Sequence, residues 1–82
     1  MIRIYLVSGD DWEGLYINGK LEKEGHRIDF SNGMKVIAEY INNEMSASEI
    51  KFMNYYVNQE WLEDEGSFPE NFRDIPSDKF EE

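Results

Sequence analysis

The chain has no cysteine, two prolines, one histidine and only eight basic residues among its 82. Without cysteine there are no disulfides, no thiolate nucleophile and no zinc site built on sulfur ligands. Small secreted domains usually rely on disulfide staples, so the composition points to a cytoplasmic protein. A single histidine cannot complete a conventional zinc or copper centre, and no metal or other cofactor is expected. No apolar run approaches the roughly 20 residues that span a bilayer. The segment Met1-Ile2-Arg3-Ile4-Tyr5-Leu6-Val7 is too short, and too soon followed by Asp10-Asp11, to read as a signal peptide. Eight bases against 18 acids leave a net charge of −10. Nucleic acids and anionic membranes both call for a concentrated basic surface, so neither is expected as a direct partner.

What is present is acid and aromatic. Two Trp, five Tyr and five Phe supply much of the apolar area for a single small core, at roughly 150–250 Å² each. The charge is uneven. Residues 1–43 carry seven acids and five bases, whereas residues 44–82 carry eleven acids and three bases. A basic partner would be drawn to the second half, with steering that weakens as salt rises.

Ile2, Ile4 and Leu6 alternate with Arg3 and Tyr5, the period of a half-buried strand. Gly14 to Ile17 and Lys20 to Lys23 flank Asn18-Gly19, a dipeptide suited to a type I′ hairpin turn because both residues tolerate positive φ. Met34, Ile37, Tyr40 and Ile41 share one helical face, which predicts a helix over about 33–44; a second Asn-Gly hairpin at Asn32-Gly33 is the rival. Ser46-Ala47-Ser48-Glu49 has the form of a capping box, yet Ile50 to Val57 is rich in β-branched and aromatic residues and reads as a strand, with a helix from 48 to 65 as the alternative. Asn58 caps a short helix from Gln59 to Glu65, which Gly66 ends. These elements predict an α+β fold: a small antiparallel sheet of three to four strands, one main helix packed on one face, and a short acidic C-terminal helix. The expected boundaries are a compact domain over residues 1–76 and a mobile acidic tail over 77–82. The expected core comprises Ile2, Ile4, Leu6, Leu15, Ile17, Ile37, Ile41 and Trp61.

Two stretches, Trp12-Glu13-Gly14-Leu15-Tyr16-Ile17-Asn18-Gly19-Lys20-Leu21 with Glu24-Gly25-His26, and Glu60-Trp61-Leu62-Glu63-Asp64-Glu65-Gly66-Ser67-Phe68-Pro69-Glu70-Asn71, resemble a group of short, uncharacterised acidic bacterial and phage proteins. The resemblance covers about half the chain. It implies a phage or mobile-element origin and carries no function with it.

Candidate chemistry is sparse. Asp10, Asp11 and Glu13 do not match the spacing of a calcium loop and read as a solvated turn. Ser8, His26 and Asp29 would be needed for a hydrolytic triad, but Ser8 is more simply a turn residue and His26 a strand-end residue. No catalytic residue and no metal ligand is assigned, and the chain is not expected to be an enzyme. Glu60, Glu63, Asp64, Glu65 and Glu70, with Phe68 as an apolar anchor, are the candidate partner-binding residues. Their bland reading is the solvated face of an amphipathic helix. Their functional reading is a stoichiometric inhibitor that imitates DNA toward a basic or nucleic-acid-binding protein, a defence protein among the targets. Phe52, Tyr55 and Tyr56 are expected mainly in the core; at a sheet edge they would form a homodimer or partner surface, the basis of an adaptor reading. A small-ligand role for the Ser8–Glu13 turn with His26 is the third reading.

Overall fold

The computed structural model describes residues 2–28, 33–35, 37–39 and 50–81. Strands β1 (Ile2–Ser8), β2 (Glu13–Ile17), β3 (Lys20–Gly25), β4 (Ile50–Val57) and β5 (Phe80–Glu81) form one sheet in the order β3-β2-β1-β4-β5. This corrects the expected three to four antiparallel strands. The sheet is mixed, because β1 and β4 run parallel, Ile4 lying beside Phe52 and Val7 beside Tyr55. Parallel strands need a crossover of a dozen or more residues, and the 24 residues between β3 and β4 supply it. Within that crossover residues 33–35 and 37–39 are helical. The rest of the expected 33–44 helix, with the core residue Ile41, lies outside the described residues, as does Ser46-Ala47-Ser48-Glu49. No long helix covers the sheet among the described residues; the helix with both ends described is α1 (Gln59–Glu65), of seven residues.

The hairpin is as the sequence indicates. Asn18 and Gly19 have φ of 52° and 86°, the positive values that a two-residue type I′ turn needs. The Asn18 side chain accepts from the Arg3 amide at 3.0 Å, and the Asn18 amide donates to the Arg3 carbonyl at 2.8 Å. These two bonds fasten the turn to β1. Helix α1 also has the predicted ends: the Asn58 side chain accepts from the Trp61 amide at 2.9 Å, and Gly66 adopts the left-handed conformation at φ 81°.

Alternation along β1 splits the apolar residues between two faces. On one face Ile2, Ile4, Leu15 and Ile17 are buried, with Ile28 and Ile37 packed against them. On the other, Val7, Tyr16 and Val57 meet Leu62, Phe68 and Ile75 from the C-terminal segment. Phe72 sits among four rings there, with centroids 4.7 Å from Tyr5, 5.2 Å from Tyr55, 5.6 Å from Tyr16 and 5.7 Å from Phe80. Leu62 rather than Trp61 is the buried residue of α1, and Trp61 packs half-buried beside it. Leu6 is only half-buried. Where a mobile tail was expected, Ser77–Lys79 forms a 3-10 turn and Phe80–Glu81 pairs with Tyr56 and Val57 of β4. The Asn58 amide donates to the Lys79 carbonyl at 2.9 Å, closing the tail back onto the start of α1.

Candidate functional site

Burial of Leu62 against the sheet turns the polar residues of α1 outward. Glu60, Glu63, Asp64 and Glu65 are all exposed. Residues three and four apart on a helix are neighbours, about 5–6 Å between Cβ atoms, so Glu60, Glu63 and Asp64 form one cluster. The last turn of α1 contains no basic residue. Its carboxylates lie at the negative end of the helix dipole, where acids are disfavoured and cations favoured. Glu63 accepts a long 3.5 Å contact from Gln59 Nε2. Glu70 is exposed in the loop beyond, and its backbone carbonyl accepts from the Leu21 amide at 2.7 Å.

Phe68, expected as an interface anchor, is instead a core residue. It is 3% exposed, lies edge-on to Tyr16 at 6.2 Å and packs on the bare Cα of Gly14. Its amide donates to Glu24 Oε1 at 3.1 Å, and Trp12 Nε1 donates to the same oxygen at 2.9 Å. Glu24 is thus a structural carboxylate. Glu13 is another: its Oε2 accepts from Ser8 Oγ at 3.1 Å and its Oε1 from the Ile28 amide at 2.9 Å. Among the described residues, Glu13 and Glu24 are thus half-buried carboxylates that hold turns, whereas the four acids of α1 are exposed.

The Ser8–Glu13 turn docks on α1 through the Asp11 amide, which donates to Gln59 Oε1 at 3.1 Å. An open depression of about 220 Å³ lies at this junction, lined by Asp11, Trp12, Gln59, Leu62, Glu63 and Gly66. His26 stands outside it, well exposed, with Nδ1 3.5 Å from Asp11 Oδ2 and its ring edge-on to Trp12. Ser8 is engaged with Glu13, and Asp29 lies outside the described residues, so no triad is assembled among the described residues. Nor, among them, does any group of three acidic or histidine side chains converge as metal ligands. Burial pushes the Tyr16 hydroxyl far above the usual phenol range, with the charges of Glu24 and Asp74 adding to the shift; that hydroxyl donates to the Pro69 carbonyl at 2.5 Å.

The aromatic set of β4 divides. Tyr55 is half-buried against Tyr5, Phe72 and Phe80. Phe52 and Tyr56 are instead exposed, with Ile50 on the same face of the strand and, from the crossover, Met34; Met53, also exposed, lies on the other face. Ile50 and Met34 are surface residues that sequence reasoning missed. An apolar groove of about 170 Å³, lined by Leu6, Leu15, Ile28, Met34, Ile37 and Phe52, continues this patch. Among the described residues no helix is long and apolar enough to cross a membrane.

No family model matches the chain, and no solved structure matches it. The chain is 34% identical over 70 residues to S-adenosylmethionine:tRNA ribosyltransferase-isomerase from two strains of Staphylococcus epidermidis. The match takes in 84% of this chain and 20% of each enzyme, so the chain spans about a fifth of the length of the curated relatives it matches.

Proposed function

We propose that this chain acts by binding a protein, as a stoichiometric ligand whose α1 carboxylates occupy a basic, nucleic-acid-binding surface of its target. The observation that carries this reading is the state of α1. Four exposed acids crowd a seven-residue helix with no base in its last turn. Glu63, Asp64 and Glu65, toward its C-terminal end, weaken their own helix, and charge retained against local stability is characteristic of binding surfaces. A helix of this length is only about 10 Å long, so the array imitates a short stretch of a phosphate row and needs Glu70 or neighbouring acids to extend it. The partial likeness to an enzyme acting on tRNA does not bring that substrate here, because a net charge of −10 repels a polyanion. A cytoplasmic setting and a phage or mobile-element origin fit the same reading.

With a partner purified by affinity capture, the test is interferometry on Glu63→Lys/Asp64→Lys. Reversal of two central charges should weaken binding by about tenfold or more, mostly through association, at unchanged folding. Unchanged affinity in a folded variant would remove this reading. The adaptor reading has its own support in the exposed Phe52 and Tyr56; it expects Tyr56→Ala to reduce binding more than the α1 reversals do.

A further inference from the structure

We propose that the outer edge of β4 is the contact surface of a homodimer, a role independent of the α1 face. On that side of β4, among the described residues, β5 pairs only with Tyr56 and Val57. Residues Ile50 to Tyr55 are paired on their other side, to β1. The side chains of this stretch are unusually bare for a strand next to the central one: Ile50 and Phe52 are each 53% exposed and Met53 37%, with Tyr56 at 58% and nearby Met34 at 45%. An unpaired strand edge bearing apolar side chains is a template for another strand.

The opposite edge of the sheet is built differently. β3 carries Lys20, Glu22, Lys23 and Glu24, and the chain blunts it by bridging Lys20 to Asn71, with the Leu21 amide donating to the Glu70 carbonyl. Charge and capping protect β3, whereas β4 has one lysine and a two-residue cap.

Charge selects a second copy as the occupant. Two bodies of net charge −10 repel over most of their surfaces. Ile50–Val57 contains no acid, and its Lys51 lies beside Arg3 of β1. Along Ile50–Asn54 two copies can meet without opposing carboxylates, Glu81 lying beyond that stretch beside Tyr56. An antiparallel pairing about a two-fold axis at Phe52 sets Phe52 against itself, Ile50 against Asn54 and Lys51 against Met53, so no like charges face each other across the seam.

Sedimentation equilibrium of the full chain, from micromolar to near-millimolar concentration and at low and high salt, tests this. The expected result is a reversible dimer that tightens as salt screens the net repulsion, the opposite of the salt response expected at α1. Phe52→Lys should raise the dimer dissociation constant by about tenfold or more by placing two lysines at the seam. Ile50→Lys, further from the sheet centre, should do the same if Phe52→Lys disturbs folding. Glu63→Gln should leave the dimer unweakened. A monomer throughout the range overturns the proposal, as does a dimer indifferent to both lysine substitutions; association that survives them uses another surface.

Discussion

The close approach of Phe68 to Gly14 turns the burial of the C-terminal segment into a measurable quantity. A Cβ on residue 14 would lie 2.7, 3.0 and 3.1 Å from Phe68 Cδ2, Cε2 and Cγ, so the ring must withdraw by about 1 Å to reach ordinary contact. It is poorly placed to do so, because its amide is held by Glu24 and the ring lies against Tyr16. In an ordinary strand position the change from Gly to Ala gains about 0.4–1 kcal/mol through the unfolded state. Overpacking a close-fitted core costs about 1–3 kcal/mol, and a rigid ring on a tethered backbone belongs near the top of that range. The expected net effect of Gly14→Ala is a loss of about 2 kcal/mol. For a domain of this size that lowers the urea midpoint by roughly 1–2 M, read by tryptophan fluorescence and circular dichroism together. The double substitution Gly14→Ala/Phe68→Leu supplies the control. If the two groups collide, Phe68→Leu costs far less when combined with Gly14→Ala than it does alone, with a coupling of about 1 kcal/mol or more. Wild-type stability in Gly14→Ala, or strictly additive effects, would refute the packing of Phe68 on β2 and restore it as a surface anchor.

Two further outcomes follow from the structure. The folded-state pKa of Tyr16 is raised, so its contribution to stability is complete below the unfolded value near 10 and declines as pH rises through that value toward the folded one. Tyr16→Phe should therefore be less stable than wild type at neutral pH, by about 1–2 kcal/mol for the unpartnered Pro69 carbonyl, and the gap should narrow in urea melts above about pH 10; a constant gap contradicts the assignment. Neutralising Glu63→Gln/Asp64→Asn at the end of α1 should raise stability by about 0.5 kcal/mol at low salt and less at high salt. A loss would mean that those carboxylates make contacts the structure does not contain.

The parts of the fold that were legible in the sequence are those fixed by local chemistry. Asn18-Gly19 specifies its turn through positive φ, Asn58 and Gly66 specify the two ends of α1, and the β-branched and aromatic run from Ile50 specifies a strand over a helix. Strand order is another matter. The alternation along Ile50–Val57 says which residues share a face and nothing about which strand lies alongside, so the parallel pairing with β1 was read as antiparallel. The one available clue was the long stretch between β3 and β4, too long for a hairpin and suited to a crossover. β5 escaped notice because two residues show no period; its pairing depends on Phe80 reaching the ring cluster around Phe72. Of the candidate site, Glu60, Glu63 and Asp64 lie on the solvated face expected of an amphipathic helix, although Leu62 and not Trp61 is the fully buried residue opposite them. Phe68 was misassigned because an aromatic beside acids looks alike in sequence whether it points to solvent or to a glycine across the sheet. The exposure of Ile50 and Phe52 was equally hidden, because the same residue types fill a buried strand.

The claim that the α1 carboxylates are the recognition surface is tested most directly by capture from a bacterial lysate with two baits, the wild-type chain and the folded variant Glu60→Gln/Glu63→Gln/Asp64→Asn/Glu65→Gln. The expected result is a nucleic-acid-binding protein that the wild type holds at low salt and releases at high salt, and that the neutralised bait fails to retain. The same proteins held by both baits, through high salt, would contradict it.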